Sequence, residues 1–245
     1  MLTTKHLAKE FGTLRAVDGV DFHLPQGELR AIIGPNGAGK STFVNLLTGH
    51  LAVSEGQVFF RGEEITNFSP HRVTRKGIGR SFQVTNILPR LSVLENVRIA
   101  VQARYKFHNP FSHVSRLGKT WEGARVILDR VGLISESNVI AEDLSHGFQR
   151  NLEIGIALAN GPELLILDEP TQGMGSEETA STVGLIQQLS QDGLTIAIIE
   201  HDMDVVMTLA ETITVFHQGK ILTEGTPEQI SHNDVVQQVY LGVTG

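Results

Sequence analysis

Apolar positions along the chain fall into two rhythms. Short continuous or alternating apolar runs at Leu2–Lys9, Val20–Leu24, Glu28–Ile33 and Gln57–Phe60 predict β-strands, the last closed by a turn at Arg61-Gly62-Glu63-Glu64. From Val93 to Asn160 these signals fade. There Val93, Leu94, Val97, Ala100 and Val101, and again Ala124, Ile127, Leu128 and Val131, recur at the spacing that lines one face of a helix. The Asn109-Pro110 break and a loop over Ser112–Gly118 separate the two predicted helices. Alternation then resumes as strand Leu164–Leu167, helix Ser176–Gln191, strand Thr195–Ile199, helix Met203–Ala210 and strand Thr212–His217. This order predicts an α/β fold with a mainly parallel sheet covered on both faces. The core falls at about residues 1–92 and 161–245, with a helical insert at about 93–160, all within one domain 1–245.

Composition suits that picture: 245 residues, 40% hydrophobic and 19% charged, are ordinary for one large α/β domain or a core with an inserted subdomain. Cysteine is absent, which excludes disulfides, zinc thiolate sites and cysteine nucleophiles. The first residues, Met1 to His6, lack the apolar block of a secretory signal, and no uninterrupted apolar run approaches a membrane span. A cytoplasmic location is the expectation. The formal charge of −7 argues against a general nucleic-acid binder. Between Pro70 and Arg130, however, twelve Lys/Arg face three acidic residues, a net +9 that leaves −16 for the remainder. Such a segment is either a solvated face or a lobe turned toward something anionic, such as a membrane surface.

The chemistry concentrates at three places. Gly34-Pro35-Asn36-Gly37-Ala38-Gly39-Lys40-Ser41-Thr42 follows a predicted strand and opens a predicted helix, Lys40 to Thr48, as a phosphate-binding P-loop does. Its glycines let backbone N–H groups approach a polyphosphate, the helix N-terminus adds positive potential, Lys40 supplies a mobile cation and the Ser41 hydroxyl a Mg²⁺ ligand. Leu164-Leu165-Ile166-Leu167-Asp168-Glu169 is a buried strand ending in carboxylates. Asp168 is expected to reach the Mg²⁺ held by the P-loop on the neighbouring strand. Glu169 is suited to orient or deprotonate an attacking water. Third, Leu144-Ser145-His146-Gly147-Phe148 precedes a helix through Leu152, Glu153, Ile156 and Ala159, so that Ser145 reads as an N-cap in front of a second helix N-terminal anion site.

In this order the three segments resemble the ATPase subunits of ABC transporters, the last matching the Leu-Ser-Gly-Gly-Gln signature at Ser145 and Gly147. The resemblance extends over nearly the whole chain. It implies a P-loop NTPase core with an N-terminal antiparallel β subdomain and an inserted helical signature subdomain. It also implies roles for three further residues. Phe11 resembles the aromatic residue that stacks on adenine, although alone it reads equally as a core Phe. Gln83, after the predicted strand Gly79–Phe82, resembles the glutamine that touches Mg²⁺ and the water. His201 resembles the histidine that contacts the γ-phosphate. Two departures stand out: His146 and Phe148 replace a glycine and the glutamine of the signature, and Gln172-Gly173-Met174-Gly175 lacks the usual aspartate of the loop between the carboxylate strand and the next helix.

The family resemblance implies that ATP lies between the P-loop of one subunit and the signature of another, so that the working unit is a dimer of two copies or of this chain with a related ATPase. Closure of that dimer would drive two membrane permeases from the cytoplasmic face, fed indirectly by an extracytoplasmic solute-binding protein. Gly77–Gln83, Leu152-Glu153-Ile154, Glu200-His201-Asp202-Met203, Gly225-Thr226-Pro227-Glu228 and Val239-Tyr240-Leu241-Gly242 are similar to the larger ATPase of branched-chain amino acid importers. Urea or amide importers and lipopolysaccharide exporters share several of these motifs. A nucleoside kinase would account for the P-loop but not for Ser145, Gly147 or His201, and a non-transport ABC protein would account for all of them.

Overall fold

A computed structural model describes residues 1–81, 87–104 and 113–241. The chain begins with two long antiparallel strands, β1 (Leu2–Phe11) and β2 (Leu14–Leu24), followed by β3 (Leu29–Ile33) and helix α1 (Lys40–Leu47). Next come β4 (Glu55–Phe60), the two-residue β5 (Glu63–Glu64), α2 (Pro70–Lys76) and β6 (Ile78–Arg80). Three helices, α3 (Val93–Ala103), α4 (His113–Arg130) and α5 (His146–Leu158), lead to β7 (Leu164–Asp168). The remainder alternates as α6 (Ser176–Gln191), β8 (Thr195–Ile199), α7 (Met203–Leu209), β9 (Thr212–His217), β10 (Lys220–Gly225), α8 (Pro227–Ser231) and α9 (Asp234–Leu241).

Two sheets form. One is antiparallel, in the order β2-β1-β4-β5. The other runs β10-β9-β3-β8-β7-β6, parallel throughout except for β10. The strand that leads into the P-loop segment, β3, and the carboxylate strand, β7, are therefore not the neighbours that the sequence had suggested: β8 is inserted between them. Order within a parallel sheet is set by crossovers, which no local pattern encodes.

Successive side chains of a strand point to opposite faces, and here both faces are buried. Ala31 and Ile33 of β3 and Leu165 and Leu167 of β7 join one core with α3 to α7. Ile32 and Ile166 join the other, with α1 and the antiparallel sheet. This double burial explains why the central strands read as unbroken apolar runs. Phe43 on α1 anchors the second core, edge-on to Phe22 at 5.3 Å and tilted against Phe216 at 5.0 Å. A fully buried ring of this kind contributes about 3–5 kcal/mol.

In the helical stretch, α4 starts at His113, inside the span expected to be a loop. Thr120, Ala124 and Leu128 form a buried stripe among its described side chains. Gly123 lets α4 approach α3, since a Cβ there would lie 3.2 Å from Val101. The cationic segment is partly neutralised: Lys76 pairs with Glu63, Arg98 with Glu95 and Arg130 with Asp192, while Arg80 is buried against Asp168. Lys106 lies outside the described residues. No helix among them is long and apolar enough to cross a membrane.

Candidate active site

The turn between β3 and α1 is shaped by close backbone approach. Gly34, Gly37 and Gly39 have φ of 151°, 79° and 102°. A Cβ on Gly34 would collide with the Phe216 carbonyl of β9, and one on Gly39 with the Ala16 carbonyl of β2, whereas Gly37 has open space around it. The loop is thus wedged between the two sheets and tied down by the Gly219 N–H donating to the Ala38 carbonyl at 2.9 Å. Lys40 at the start of α1 is buried and donates to the carbonyls of Gly34 and Pro35 at 2.6 and 3.1 Å. Burial lowers the pKa of its ammonium, while the carboxylates of Glu169 and Asp168 act the other way.

An open cleft of about 450 Å³ lies over this loop, lined by Phe11, Asn36 to Thr42, Glu169 and His201 among others. Phe11 ends β1 and is 47% exposed, with the Lys9 ammonium 5.2 Å from its ring centroid. This ring is therefore not a core residue; it lines the cleft wall. Gly34, Pro35 and Asp168 do not line the cleft, and Gln83 lies outside the described residues.

Besides His201, the carboxylates are held by groups that the sequence pattern gave no such role. Asp168 accepts from the Arg80 guanidinium at 3.0 Å, and the same guanidinium reaches Asn45 at 2.6 Å and Thr48 at 3.0 Å, so β6 clips the end of β7 to α1. Glu169, one residue on, has φ of 49°, a left-handed conformation that costs a side-chained residue about 1–3 kcal/mol. Its N–H donates to the Ile199 carbonyl at 2.8 Å, and its carboxylate meets His201 Nε2 at 2.8 Å. The Glu200 carboxylate, buried at the end of β8, accepts from the Thr171 N–H at 2.9 Å, the Thr171 hydroxyl at 2.6 Å and the His201 N–H at 3.0 Å. It fixes the loops after β7 and β8 to each other. In the sequence it stood in the Glu200-His201-Asp202-Met203 stretch as an acid closing an apolar strand, with no sign of this tie.

No cluster of three or more His, Cys, Asp or Glu able to cage a metal occurs among the described residues. The Ser41 hydroxyl in the cleft and the buried carboxylate of Asp168 fit the sparse oxygen set that Mg²⁺ would need, since that ion keeps several waters and takes further oxygens from phosphates.

Ser145 and Gly147 lie elsewhere. They border a separate hollow of about 210 Å³ with Phe148, Glu177 and Glu178. Ser145 is the N-cap of α5, its hydroxyl accepting from the Phe148 N–H at 3.4 Å. The Gly147 N–H donates to Glu178 Oε1 at 3.1 Å. That N–H, followed by the Ser145 hydroxyl and the Gly175 N–H, holds the Glu178 carboxyl below the usual carboxylate range. The contribution of this carboxylate to stability is present above the unfolded carboxylate pKa and is lost as pH falls through the lower, folded value. In a pH titration followed by amide NMR, the Gly147 signal is expected to shift with a midpoint below that of an ordinary Glu, about 4.3, and to lose the step in Glu178→Gln. A midpoint at the ordinary value, or a step that survives the substitution, would contradict the contact.

Comparisons with known proteins point to one family and fold. The family model described as ABC transporter matches residues 17–172. The high-affinity branched-chain amino acid transport ATP-binding protein LivG of Escherichia coli (strain K12) is 35% identical over 255 aligned residues, covering 99% of this chain and 98% of LivG. BraF of Pseudomonas aeruginosa, which carries the same description, is 36% identical over 250, with the same coverage. Among solved structures, the ADP conformation of an ATP-binding cassette of an ABC transporter superposes with a TM-score of 0.87 at 30% identity, covering 99% of this chain and 98% of that one. A dimeric cassette in a post-hydrolysis state bound to ADP and Pi gives 0.78 at 27% identity, over 93% and 99%.

Proposed function

Because the chain belongs to the ABC transporter family of ATP-hydrolysing cassettes, we propose that it powers an importer of branched-chain amino acids or a related small solute, as one half of a two-cassette motor. It sits peripherally on the cytoplasmic face of the membrane, against two permease subunits supplied by an extracytoplasmic binding protein. The other half is a second copy or a related ATPase, and residues 93–160 form the signature subdomain.

One observation carries the two-chain reading: within a single chain, Ser145 and Gly147 face a different hollow from the P-loop cleft. Donors that converge on no nucleotide of their own chain are suited to the γ-phosphate held by another. Phe11 stacks on adenine, and the N–H groups of residues 34–42 with the Lys40 ammonium cradle the phosphates. For that, Lys40 leaves the carbonyls of Gly34 and Pro35 for the stronger acceptor. Ser41, Asp168 and Gln83 would hold Mg²⁺, which when bound neutralises charge building on the phosphate oxygens. Glu169 orients the water and takes its proton, and His201, in contact with Glu169, donates toward the γ-phosphate. ATP closes the pair and hydrolysis opens it, which moves the permeases only through differential affinity for their two states.

Complementation tests the shared site. Lys40→Ala and Ser145→Arg are each expected to abolish hydrolysis. Mixed in a homodimer, they leave one site doubly damaged and one intact, so part of the activity returns with second-order dependence on protein concentration. If the partner is a different ATPase, the Ser145 variant of this chain is paired with the partner's P-loop variant. No recovery in a demonstrated dimer defeats the shared site.

A further inference from the structure

The strained peptide of Glu169 is gripped by a side chain from the signature helix. Arg150, on the second turn of α5, is 7% exposed, and its guanidinium forks: one terminal nitrogen donates to Glu153 Oε2 at 2.6 Å and the other to the Glu169 carbonyl at 3.0 Å. That carbonyl also accepts the Gln172 N–H at 3.2 Å, while the Glu169 N–H is taken by Ile199. A side-chained residue stays at a φ of 49° only where its surroundings over-determine it. Two of the three bonds come from backbone close by in the sheet and turn. The charged one comes from nineteen residues earlier in the chain, from a helix whose own position is set by its packing in the core.

We infer that Arg150 is a positioning residue for Glu169: by pinning the carbonyl it sets the direction of the Glu169 side chain toward His201 and the cleft. A guanidinium suits the task, because its planar fork serves a carboxylate and a carbonyl at once, and because a charge-assisted bond to a buried carbonyl resists rotation of the peptide better than a neutral donor. Glu153, 6% exposed on the same helix face, balances the charge and holds the fork in plane. The inference rests on the proposed role of Glu169 as the residue that orients water. It adds that the helix bearing Ser145 also holds the carboxylate of its own chain's site.

The test compares Glu153→Gln with Arg150→Gln/Glu153→Gln, a pair that avoids leaving a buried carboxylate without its cation. Steady-state ATP hydrolysis and binding of a fluorescent ATP analogue are measured on the full chain, with its partner ATPase where one is required. Glu153→Gln is expected to keep kcat within about threefold, and the double variant to lose about tenfold or more in kcat, with KM and analogue affinity within about twofold. A double variant with the kcat of Glu153→Gln overturns the inference, as does one whose kcat and analogue affinity fall together, the mark of a collapsed site. If the double variant does not fold, Arg150→Lys serves instead: a single ammonium keeps the charge beside Glu153 but does not fork, and the same selective fall in kcat is expected, unchanged kcat counting against. Hydrolysis that persists in Glu169→Gln defeats the underlying role of Glu169. Loss of hydrolysis there, with no effect at Arg150, defeats only the positioning.

Discussion

Glu169→Gln is expected to bind ATP and to slow its hydrolysis by about a hundredfold or more. The substitution is nearly isosteric, so the packing of a side chain that is 12% exposed changes little, and the amide still reaches His201. What disappears is a base for the water. The second effect is electrostatic: Glu169 is the leading charge that opposes the lowering of the Lys40 pKa by burial, with Asp168 next. In the variant that support weakens, yet the phosphates of bound nucleotide replace it with more negative charge than was removed, so affinity is retained. An ATP-held dimer should therefore accumulate, visible as a concentration-dependent shift in sedimentation that ADP does not produce. Hydrolysis near the normal rate by purified variant would take the water-orienting role away from Glu169.

Gly39→Ala should be far more damaging than Gly37→Ala, two residues away on the same loop. Both residues have positive φ, at 102° and 79°, so each alanine carries a left-handed penalty of about 1–2 kcal/mol. Only at Gly39 does the new methyl run into backbone, the Ala16 carbonyl of β2, and a strand in a paired sheet does not yield as a flexible side chain would. The loop must lift, and it takes Lys40 and the first turn of α1 with it. Thermal unfolding without nucleotide should show a loss several degrees larger for Gly39→Ala than for Gly37→Ala, and ATP binding should be abolished at 39. Equal melting temperatures would mean that the wedge between the sheets is slack.

How much of this was legible in the chain depended on how each residue is specified. Strands β8 and β9 begin and end where the apolar pattern predicts, because double-sided burial writes their limits into neighbouring residues; helix α6 also keeps its predicted limits, although its buried positions, Thr182, Leu185, Ile186 and Leu189, lie in its second half. The P-loop, Glu169 and His201 meet in one cleft because each lies just past the end of a doubly buried strand, and Phe11, the last residue of β1, joins them there. Strands β1 and β2 extend into exposed residues such as Glu10, Phe11 and Leu14, where only the partner strand, not burial, keeps the backbone extended. Arg80, Arg150 and Glu200 were visible as charges but not as ties. Their partners stand 88, 19 and 29 residues away in the chain, and the contacts exist only after the sheet order is set. Arg80 in particular counted as one more surface cation in a basic segment until the fold turned it inward against Asp168.

The carboxylate of Glu178 on the Gly147 amide changes what it means for an anion to reach the end of α5. A phosphate arriving there does not fill a bare positive field; it exchanges with a resident anion that the chain itself supplies. The gain on closing is then the difference between two holds on the same donors, not the whole attraction of a helix terminus, and mobile salt, which screens both, should weaken it less than it would weaken a first encounter of opposite charges. Within a single chain the Gly147 N–H thus already has an acceptor of the chain's own.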